Sequence, residues 1–350
     1  MTKRDTTTKP VWQTWWGLAG PRLPSKEVRV GLRAVIGPLT EEQEKQALRA
    51  PAIGPQKGGG LYVSHLPPRD IVTSLHRLQI DLEAVDEDEA IKLAGVECKK
   101  ILTSLSLSVP EGDYFAELRM LRKHNASVQR SAWSEVASFV KMDFPPKDLE
   151  ASHLAETEGY LNVLEKDGVA KSAHVHLVTA WQLAGTPGSR PLAHSTVLHF
   201  FLCVEAIVQG VMVSIRSKKA DRLKMEAKKF SEEFWQNLDK IGDKSKAIQT
   251  ASTKLREITL QNTIPGILAT ADNLGLTSEV TEKAIELFKF RSSNLGHPGA
   301  STDVRLLEWL NKEPGLDKLC PADEVARSFF KGYCAKRETA CRNSVRQPFE

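Results

Sequence analysis

An arginine and a histidine lie six positions apart near the end of a helical pattern, in the stretch FKFRSSNLGHPGA. Arg291 carries a planar guanidinium that binds phosphate through two parallel hydrogen bonds, and His297 carries an imidazole that titrates near neutral pH. Together they are residue types that move protons and stabilise charge in phosphate chemistry. The same residues can also end a helix, with the histidine interacting with the last carbonyl groups. Both interpretations stay open from the spacing alone.

An amphipathic helix must position this pair. It starts at Ser278, and its apolar residues recur at helical spacing: Val280, Ala284, Leu287 and Phe288. On a regular helix, positions six apart are about 120° apart, so Arg291 and His297 would not share a face. The Gly-His-Pro-Gly run forbids a regular continuation. We therefore expect the helix to end here, with Asn294 or Gly296 in the left-handed conformation, so that His297 approaches Arg291.

Two kinds of periodicity divide the rest of the chain. Apolar residues alternate over 28–36 and again over 78–84, which predicts strands. The acidic run Asp86–Glu89 then opens a long amphipathic helix, in agreement with the helix dipole. A stretch rich in proline and glycine follows at Ala184–Ser195, and after it every segment has an apolar stripe at helical spacing. These patterns predict strands and helices before the boundary at Ala184–Ser195, and helices alone after it.

The predicted fold class is therefore α+β. A mixed domain of strands and helices covers 26–185, and an all-α helical bundle covers 195–345. Residues 1–25 are predicted to be a tail that docks onto a domain or onto a partner protein. Its three tryptophans carry this prediction, because exposed indole rings are unusual without a partner. They are Trp12, Trp15 and Trp16.

Two stretches contain parts of known ligand motifs. Pro51–Val63 is rich in glycine, but its lysine precedes the glycines, whereas a phosphate-binding loop places the lysine after them at a helix start. We expect a flexible hairpin loop there. The stretch AHVHLV over 173–178 alternates like a strand and would place His174 and His176 on one face. No CxxC, HExxH or suitably spaced carboxylate completes a set of ligands, so no metal site is predicted.

Composition excludes several classes of protein. The formal net charge is +4, which permits a nucleic-acid partner without requiring one. The five cysteines include no CxxC pair, which argues against a disulfide framework and for a reducing compartment. The first ten residues are polar and lack the apolar core of a signal peptide. The apolar run 197–213 is interrupted by polar residues and predicts a buried helix, not a membrane span. The expectation is a cytoplasmic protein without a membrane segment or cofactor.

The bundle and the sequence Arg-Ser-Ser-Asn-Leu-Gly-His at a helix end resemble the HEPN superfamily, whose hallmark is an Rx4–6H motif. The helix LHFFLCVEAIVQ, with Glu205 inside an apolar run, is similar to the acidic helix of that family. Strands, a helix with an acidic start and then the bundle look like its ApeA-like branch. The resemblance covers 195–345, and more loosely 28–185. The family usually has Asn, Asp or His directly after the arginine, whereas this chain has Ser292, whose hydroxyl can donate and accept.

The resemblance implies a homodimer in which two copies of Arg291 and His297 meet across a twofold axis and cleave RNA without a metal ion. The ribose 2′-OH would attack the adjacent phosphorus, His297 would move protons, and Arg291 would stabilise the phosphorane oxygens. Ser292 and Asn294 would support the pair. DNA would be bound but not cut, because deoxyribose lacks the nucleophile. Such an endoribonuclease would suit a toxin or defence effector, and its N-terminal domain would then sense a signal or restrain the enzyme.

Two further features each have a functional and a structural interpretation. Glu205 either orients Arg291 from within the bundle or faces water at an interface. A basic run at 216–229 either follows the phosphate backbone of RNA or forms a solvated face whose lysines and arginines pair with neighbouring acids. The candidate RNA contacts in this run are Lys218, Lys219, Arg222 and Lys229.

Three functions stay open. The first is a HEPN-type endoribonuclease. The second is a non-catalytic HEPN dimer that binds a nucleotide or a protein as an accessory. The third is an α+β interaction protein in which the Arg291 and His297 spacing is incidental. Cleavage of RNA separates the first from the others, and the position of the pair relative to a twofold interface separates the second from the third.

Overall fold

The computed structural model describes residues 9–40, 61–63, 76–109, 114–123, 129–131, 147–184, 192–259, 263–292, 309–310 and 320–345. They form two compact units. The first runs to Asp167 and includes Val178–Thr196, and the second comprises Gly168–Leu177 and the described residues from Val197 onward. The first unit contains an antiparallel sheet and the second is helical. The predicted α+β fold, with a helical bundle in the C-terminal part of the chain, is confirmed.

A seven-stranded sheet organises the first unit. Its strands are β1 Val11–Ala19, β3 Val28–Val30, β4 Ala34–Pro38, β5 Leu61–Val63, β6 His76–Glu83, β7 Tyr114–Lys123 and β8 Gln129–Ser131. They follow the order β3-β4-β6-β1-β7-β5, with β8 also paired to β7, and every pair is antiparallel. Two short strands, β2 Arg22–Leu23 and β9 Lys147–Asp148, form a separate parallel pair. The alternation over 78–84 corresponds to β6, as predicted.

The tryptophan-rich segment is an interior strand, so the tail predicted for 1–25 is wrong over 11–19. β1 lies between β6 and β7, and both Trp15 and Trp16 are buried. Adjacent strand residues face opposite sides, and the pairing with β6 stays regular through both tryptophans, while a β-bulge shifts the register with β7 between them. Each indole N–H donates to a group of the same unit: Trp12 to the Ala84 carbonyl, Trp15 to Gln13 and Trp16 to Thr14. These tryptophans stabilise the sheet and are not the predicted docking surface.

The alternation over 28–36 predicts one strand, but the structure has a hairpin there. β3 pairs with β4, and Val28 lies opposite Ile36. Gly31 occupies the turn with a φ of 65°, which glycine adopts without the strain that a Cβ would cause. Alternation continues on both arms of the hairpin, so the pattern of apolar residues alone does not reveal the turn.

Two helices of the first unit pack against each other, α1 Glu87–Ser108 and α2 Ala151–Lys166. The carboxylate of Asp86 caps α1 by accepting a hydrogen bond from the N–H of Glu89 at 2.8 Å. The long amphipathic helix predicted after the acidic run is confirmed. α1 also packs against β6 and β7, and its buried face includes Ala90, Ala94, Cys98, Ile101 and Leu102.

Seven further helices follow among the described residues. They are α3 Gly168–Ala184, α4 Ala193–Lys218, α5 Ala220–Asn237, α6 Lys244–Ile258, α7 Thr263–Leu274, α8 Ser278–Phe290 and α9 Pro321–Val345. α3 contains the stretch AHVHLV, so the strand predicted at 173–178 is wrong. Its buried residues recur at helical spacing: Ala170, Ala173, Leu177 and Trp181. On a helix, His174 and His176 are about 200° apart and do not share a face.

α4 forms much of the core of the helical unit. By length and composition it is the one helix in the described ranges that could cross a membrane. However, 44% of its most apolar window is buried within the protein, and core helices of soluble proteins pass the same test. Its buried side chains include Phe200, Phe201, Val204, Ile207 and Met212. This burial agrees with the predicted core helix. α7, α8 and α9 also pack against one another.

Candidate functional site

α8 places Arg291 at the point where the regular helix ends. The side chain of Thr277 caps its first turn and accepts a hydrogen bond from the N–H of Val280 at 3.3 Å, close to the predicted start. The face that includes Ala284 and Leu287 is buried. The α-helix ends at Phe290, and residues 291–292 continue as a π-helical turn. Turns of this kind interrupt α-helices frequently at functional sites.

The guanidinium of Arg291 lies over an aromatic ring. Its Cζ atom is 5.2 Å from the centroid of the Phe201 ring on α4. Phe201 is only 1% exposed, and its ring also contacts Phe288 of α8, with 6.1 Å between the centroids. Cation–π contacts within about 6 Å of the centroid contribute roughly 0.5–1 kcal/mol at exposed sites and more when desolvated. The ring is fixed by the core, so it holds the guanidinium in place without neutralising its charge.

Arg291 has no carboxylate partner in the part of the chain that the structure describes. Its side chain is partly exposed, and its recorded side-chain contact is with the ring of Phe201. Glu205 lies one turn after Phe201 on α4, but it does not form an ion pair with Arg291. The interpretation that Glu205 orients the arginine is therefore wrong for this structure. Glu205 is partly exposed, which agrees with the other interpretation, a carboxylate that faces solvent.

The other members of the predicted site are described only in part. Ser292 is exposed directly beside Arg291. Asn294 and His297 lie outside the described residues, as does the predicted turn at Gly296. The approach of His297 to Arg291, and the meeting of two such pairs across a dimer axis, stay predictions.

A second arginine of the helical unit, which the sequence patterns did not single out, has the opposite environment. Arg327 on α9 is 6% exposed, and its Nε donates to both carboxylate oxygens of Asp323 at 3.0 Å. Asp323 is fully buried at 0% exposure. In the sequence, the signal for this pair is that Asp323 and Arg327 are four positions apart in ADEVARSF. Ion pairs on exposed helix faces have the same spacing, so it does not reveal that the pair is buried. Burial raises the pKa of the nearby Cys203 thiol, and Cys334 and Asp323 add to the rise.

Two histidines face each other on α3 and α4. The Nδ1 atoms of His176 and His199 are 3.2 Å apart, and the ring centroids are 5.4 Å apart. Burial lowers the pKa of His176, while the Glu205 carboxylate opposes this change. Burial also lowers the pKa of His199, and His176 adds to that effect. Both rings are partly exposed. The sequence patterns missed this pair because they placed His176 on a strand, away from the helix that carries His199.

The basic run is ion-paired along α5. Arg222 donates to Glu226 at 2.7 Å, and Lys229 lies 4.0 Å from Glu233. Both pairs have the i,i+4 spacing of exposed helix faces. Lys218 and Lys219 are exposed at the end of α4 and form no ion pair among the described residues. The interpretation as a solvated face therefore applies to Arg222 and Lys229, whereas Lys218 and Lys219 stay candidates for RNA contacts.

An apolar groove lies between α5 and α6. Its volume is about 630 Å³. Phe230, Phe234, Ile241, Ala247 and Ala251 supply apolar lining, and Asp243, Lys246, Thr250 and Lys254 also line it. No residue of α5 is buried, and Trp235 is 60% exposed. Contiguous exposed apolar surface of this kind marks interaction sites in soluble proteins.

No group of three or more histidine, cysteine, aspartate and glutamate residues within the described ranges could hold a metal ion. Comparisons with protein-family models, with curated proteins and with solved structures found no match. The resemblance of the Arg291 to His297 stretch to the HEPN superfamily therefore stays a prediction that rests on the sequence.

Proposed function

We propose that this protein is a HEPN-type endoribonuclease that cleaves RNA at a dimeric site formed by Arg291 and His297. The main support is the guanidinium of Arg291. It is held over Phe201 at the end of α8, with no carboxylate partner among the described residues. A fixed positive charge that no acid neutralises favours an anionic ligand, and a guanidinium fork matches the oxygens of a phosphate.

In the proposed reaction the 2′-oxygen of a ribose attacks the neighbouring phosphorus and loses its proton to one imidazole. The P–O5′ bond breaks, and the departing oxygen takes a proton from the second imidazole of the dimer. Arg291 stabilises the negative charge that develops on the non-bridging oxygens. The products are a 2′,3′-cyclic phosphate and a 5′-hydroxyl. Each proton that leaves one group is taken up by another, so the chain's own side chains supply the proton transfers.

Other features agree with a cytoplasmic enzyme that binds RNA. Four of the cysteines are free and buried, which suits a reducing compartment: Cys98, Cys203, Cys320 and Cys334. Lys218 and Lys219 are exposed without acidic partners in the described part of the chain, and they are the proposed backbone contacts. A role as a toxin or defence effector belongs to the same proposal, because an unrestrained ribonuclease harms its own cell.

The direct test is incubation of total RNA with the wild-type protein and with His297→Ala in EDTA. We expect cleavage by the wild type and a rate roughly 10²- to 10⁴-fold lower for the variant, which is the usual contribution of a general acid or base. His194→Ala removes a partly exposed histidine of α4 and is the matched control. The proposal fails if the wild type and His297→Ala are equally inactive on varied RNAs while both are folded and dimeric.

The groove between α5 and α6 favours a second function, a protein-interaction accessory. Its lining combines aromatic rings with Lys246, whereas Lys254 pairs with Glu257 and Asp243 caps α6, so the partner we propose is an amphipathic helix with an acidic residue beside its apolar face. A Leu/Glu-rich helical peptide should bind with micromolar affinity, and a Leu/Lys-rich peptide with the same apolar face should bind more weakly. Ala251→Glu should abolish binding of the first peptide. Failure of both peptides to bind would exclude this function for the groove.

A further inference from the structure

We propose that His176 and His199 form a binding site for a divalent transition-metal ion of the zinc class, with water molecules completing the coordination. The two residues come from different helices, α3 and α4, and are 23 positions apart in the chain. The proposal does not depend on RNA cleavage, because neither Arg291 nor His297 takes part in it.

The separation of the two ring nitrogens fits this role. Zinc binds histidine nitrogen at about 2.0–2.1 Å in tetrahedral geometry, which places two ligand nitrogens roughly 3.3–3.4 Å apart. The observed distance between the Nδ1 atoms is 3.2 Å. A single ion can therefore bridge both rings with a movement of a few tenths of an ångström. The two ring planes are tilted by 36° to each other, so the rings are not stacked.

The protonation state of the pair also suits a metal ligand. A neutral imidazole is the form that binds metal, and burial lowers the pKa of both rings, which favours that form. Without an ion, one Nδ1–H donates to the other Nδ1. Metal binding requires that this proton move to Nε2 of the same ring, through solvent, so no net proton is released at neutral pH. Both rings are partly exposed, which gives the ion and that proton a path.

Glu205 makes the position more favourable for a cation. Its carboxylate favours the charged form of His176, although the larger effect of burial lowers the pKa of this ring, so a negative charge acts at His176. A bound divalent ion would gain from the same charge. The ion would also link α3 to α4 directly, so binding should stabilise the helical unit.

The test uses the full chain after EDTA treatment and buffer exchange. Titration with Zn²⁺ by calorimetry should show one ion bound per chain, and Zn²⁺ should raise the unfolding temperature. Co²⁺ should give visible absorption typical of nitrogen coordination. Mg²⁺ at the same concentration should do neither, because it prefers oxygen ligands.

Matched variants assign the binding to the pair. His176→Gln and His199→Gln keep a polar side chain of similar size, and each should lose the zinc-dependent rise in unfolding temperature and the cobalt absorption. His194→Ala should behave like the wild type. Zinc binding that survives in both glutamine variants would overturn the proposal, as would a wild type that binds no zinc. In that last case the two rings form a hydrogen bond only.

Discussion

The two arginines of the helical unit, Arg327 and Arg291, occupy contrasting regions. Arg327 lies in the second turn of α9, is buried and donates to both oxygens of Asp323. Arg291 lies at the end of α8, is partly exposed and rests on the ring of Phe201. A carboxylate balances the positive charge of Arg327, whereas Arg291 has no carboxylate partner among the described residues.

We propose that this difference separates a structural arginine from a ligand-binding arginine within one helical unit. A buried ion pair is costly to disrupt, because the remaining charge stays desolvated. Removing a guanidinium that is held on an aromatic ring lowers the stability of the fold only a little. While the guanidinium is present, its N–H donors stay available for a ligand. We therefore assign Arg327 a structural role and propose a phosphate-binding role for Arg291. The variants of Asp323, Arg291 and Phe201 below test that division.

The largest effect on stability should come from Asp323→Ala. This change leaves the buried guanidinium of Arg327 without its carboxylate, so we expect the free energy of unfolding to fall by about 3–5 kcal/mol. Arg291→Ala should lower it by only about 0.5–1 kcal/mol. Urea unfolding followed by helical circular dichroism measures both. Equal losses for the two variants would remove the contrast between the arginines.

Arg291→Lys should lower the rate of RNA cleavage by roughly 10²- to 10³-fold, the cost of losing one transition-state donor. Lysine keeps the positive charge but lacks the planar fork that binds two phosphate oxygens. Single-turnover cleavage in EDTA measures the rate, and the unfolding temperature should stay near that of the wild type. Arg222→Lys is the control, since Arg222 is exposed and paired with Glu226. An unchanged rate for Arg291→Lys would argue against bidentate phosphate binding.

A smaller effect should connect Arg291 with the ring beneath it. In a double-mutant cycle of Phe201→Leu and Arg291→Ala, we expect a coupling energy of about 0.5–1 kcal/mol. The cycle cancels the packing loss that Phe201→Leu causes alone, and urea unfolding of the four proteins provides the energies. A coupling energy of zero would mean that the ring does not hold the guanidinium in solution.

The smallest effect should be a pH dependence of stability from the histidine pair. Burial holds the pKa of His176 and of His199 below the ordinary 6.5, so the unfolded chain binds more protons than the folded chain just below that value. Stability should therefore decrease as pH falls through about 6.5 and continue to decrease down to the folded pKa values. Unfolding temperatures in EDTA should show a weaker decrease for His199→Gln than for the wild type. The same decrease in both proteins would assign the pH dependence to other groups.

Local signals predicted much of the fold. The helix α1 followed from an acidic first turn and an apolar stripe, and the cap by Asp86 is itself a local interaction. The helical bundle followed from repeated stripes at helical spacing. These features could be predicted because a helix satisfies its backbone hydrogen bonds within a short segment.

Features that depend on distant parts of the chain were not predictable in the same way. The sequence predicts a tail for the segment that contains Trp15 and Trp16, because the strands β6 and β7 that make it an interior strand lie far along the chain. The stretch AHVHLV alternates over six residues, but its helical spacing becomes visible only over the whole of α3.

The candidate site shows the same division. A helix that leads to Arg291 could be expected from the apolar stripe that begins at Val280. The contact of Arg291 with Phe201 on α4 could not, because it depends on how two helices that are distant in sequence pack. The choice between the two interpretations of Glu205 depends on the same packing, and in the structure Glu205 forms no ion pair with Arg291.

The most direct test of the phosphate-binding role of Arg291 is product analysis of a defined single-stranded RNA in EDTA. Wild type, Arg291→Ala and Arg222→Ala would each be incubated with this RNA and with its 2′-O-methyl counterpart. We predict 2′,3′-cyclic phosphate ends by mass spectrometry from the RNA alone, with wild type and Arg222→Ala but not with Arg291→Ala. Equal cleavage by Arg291→Ala, cleavage of the 2′-O-methyl strand, or intact RNA with a folded, dimeric wild type would contradict the proposal.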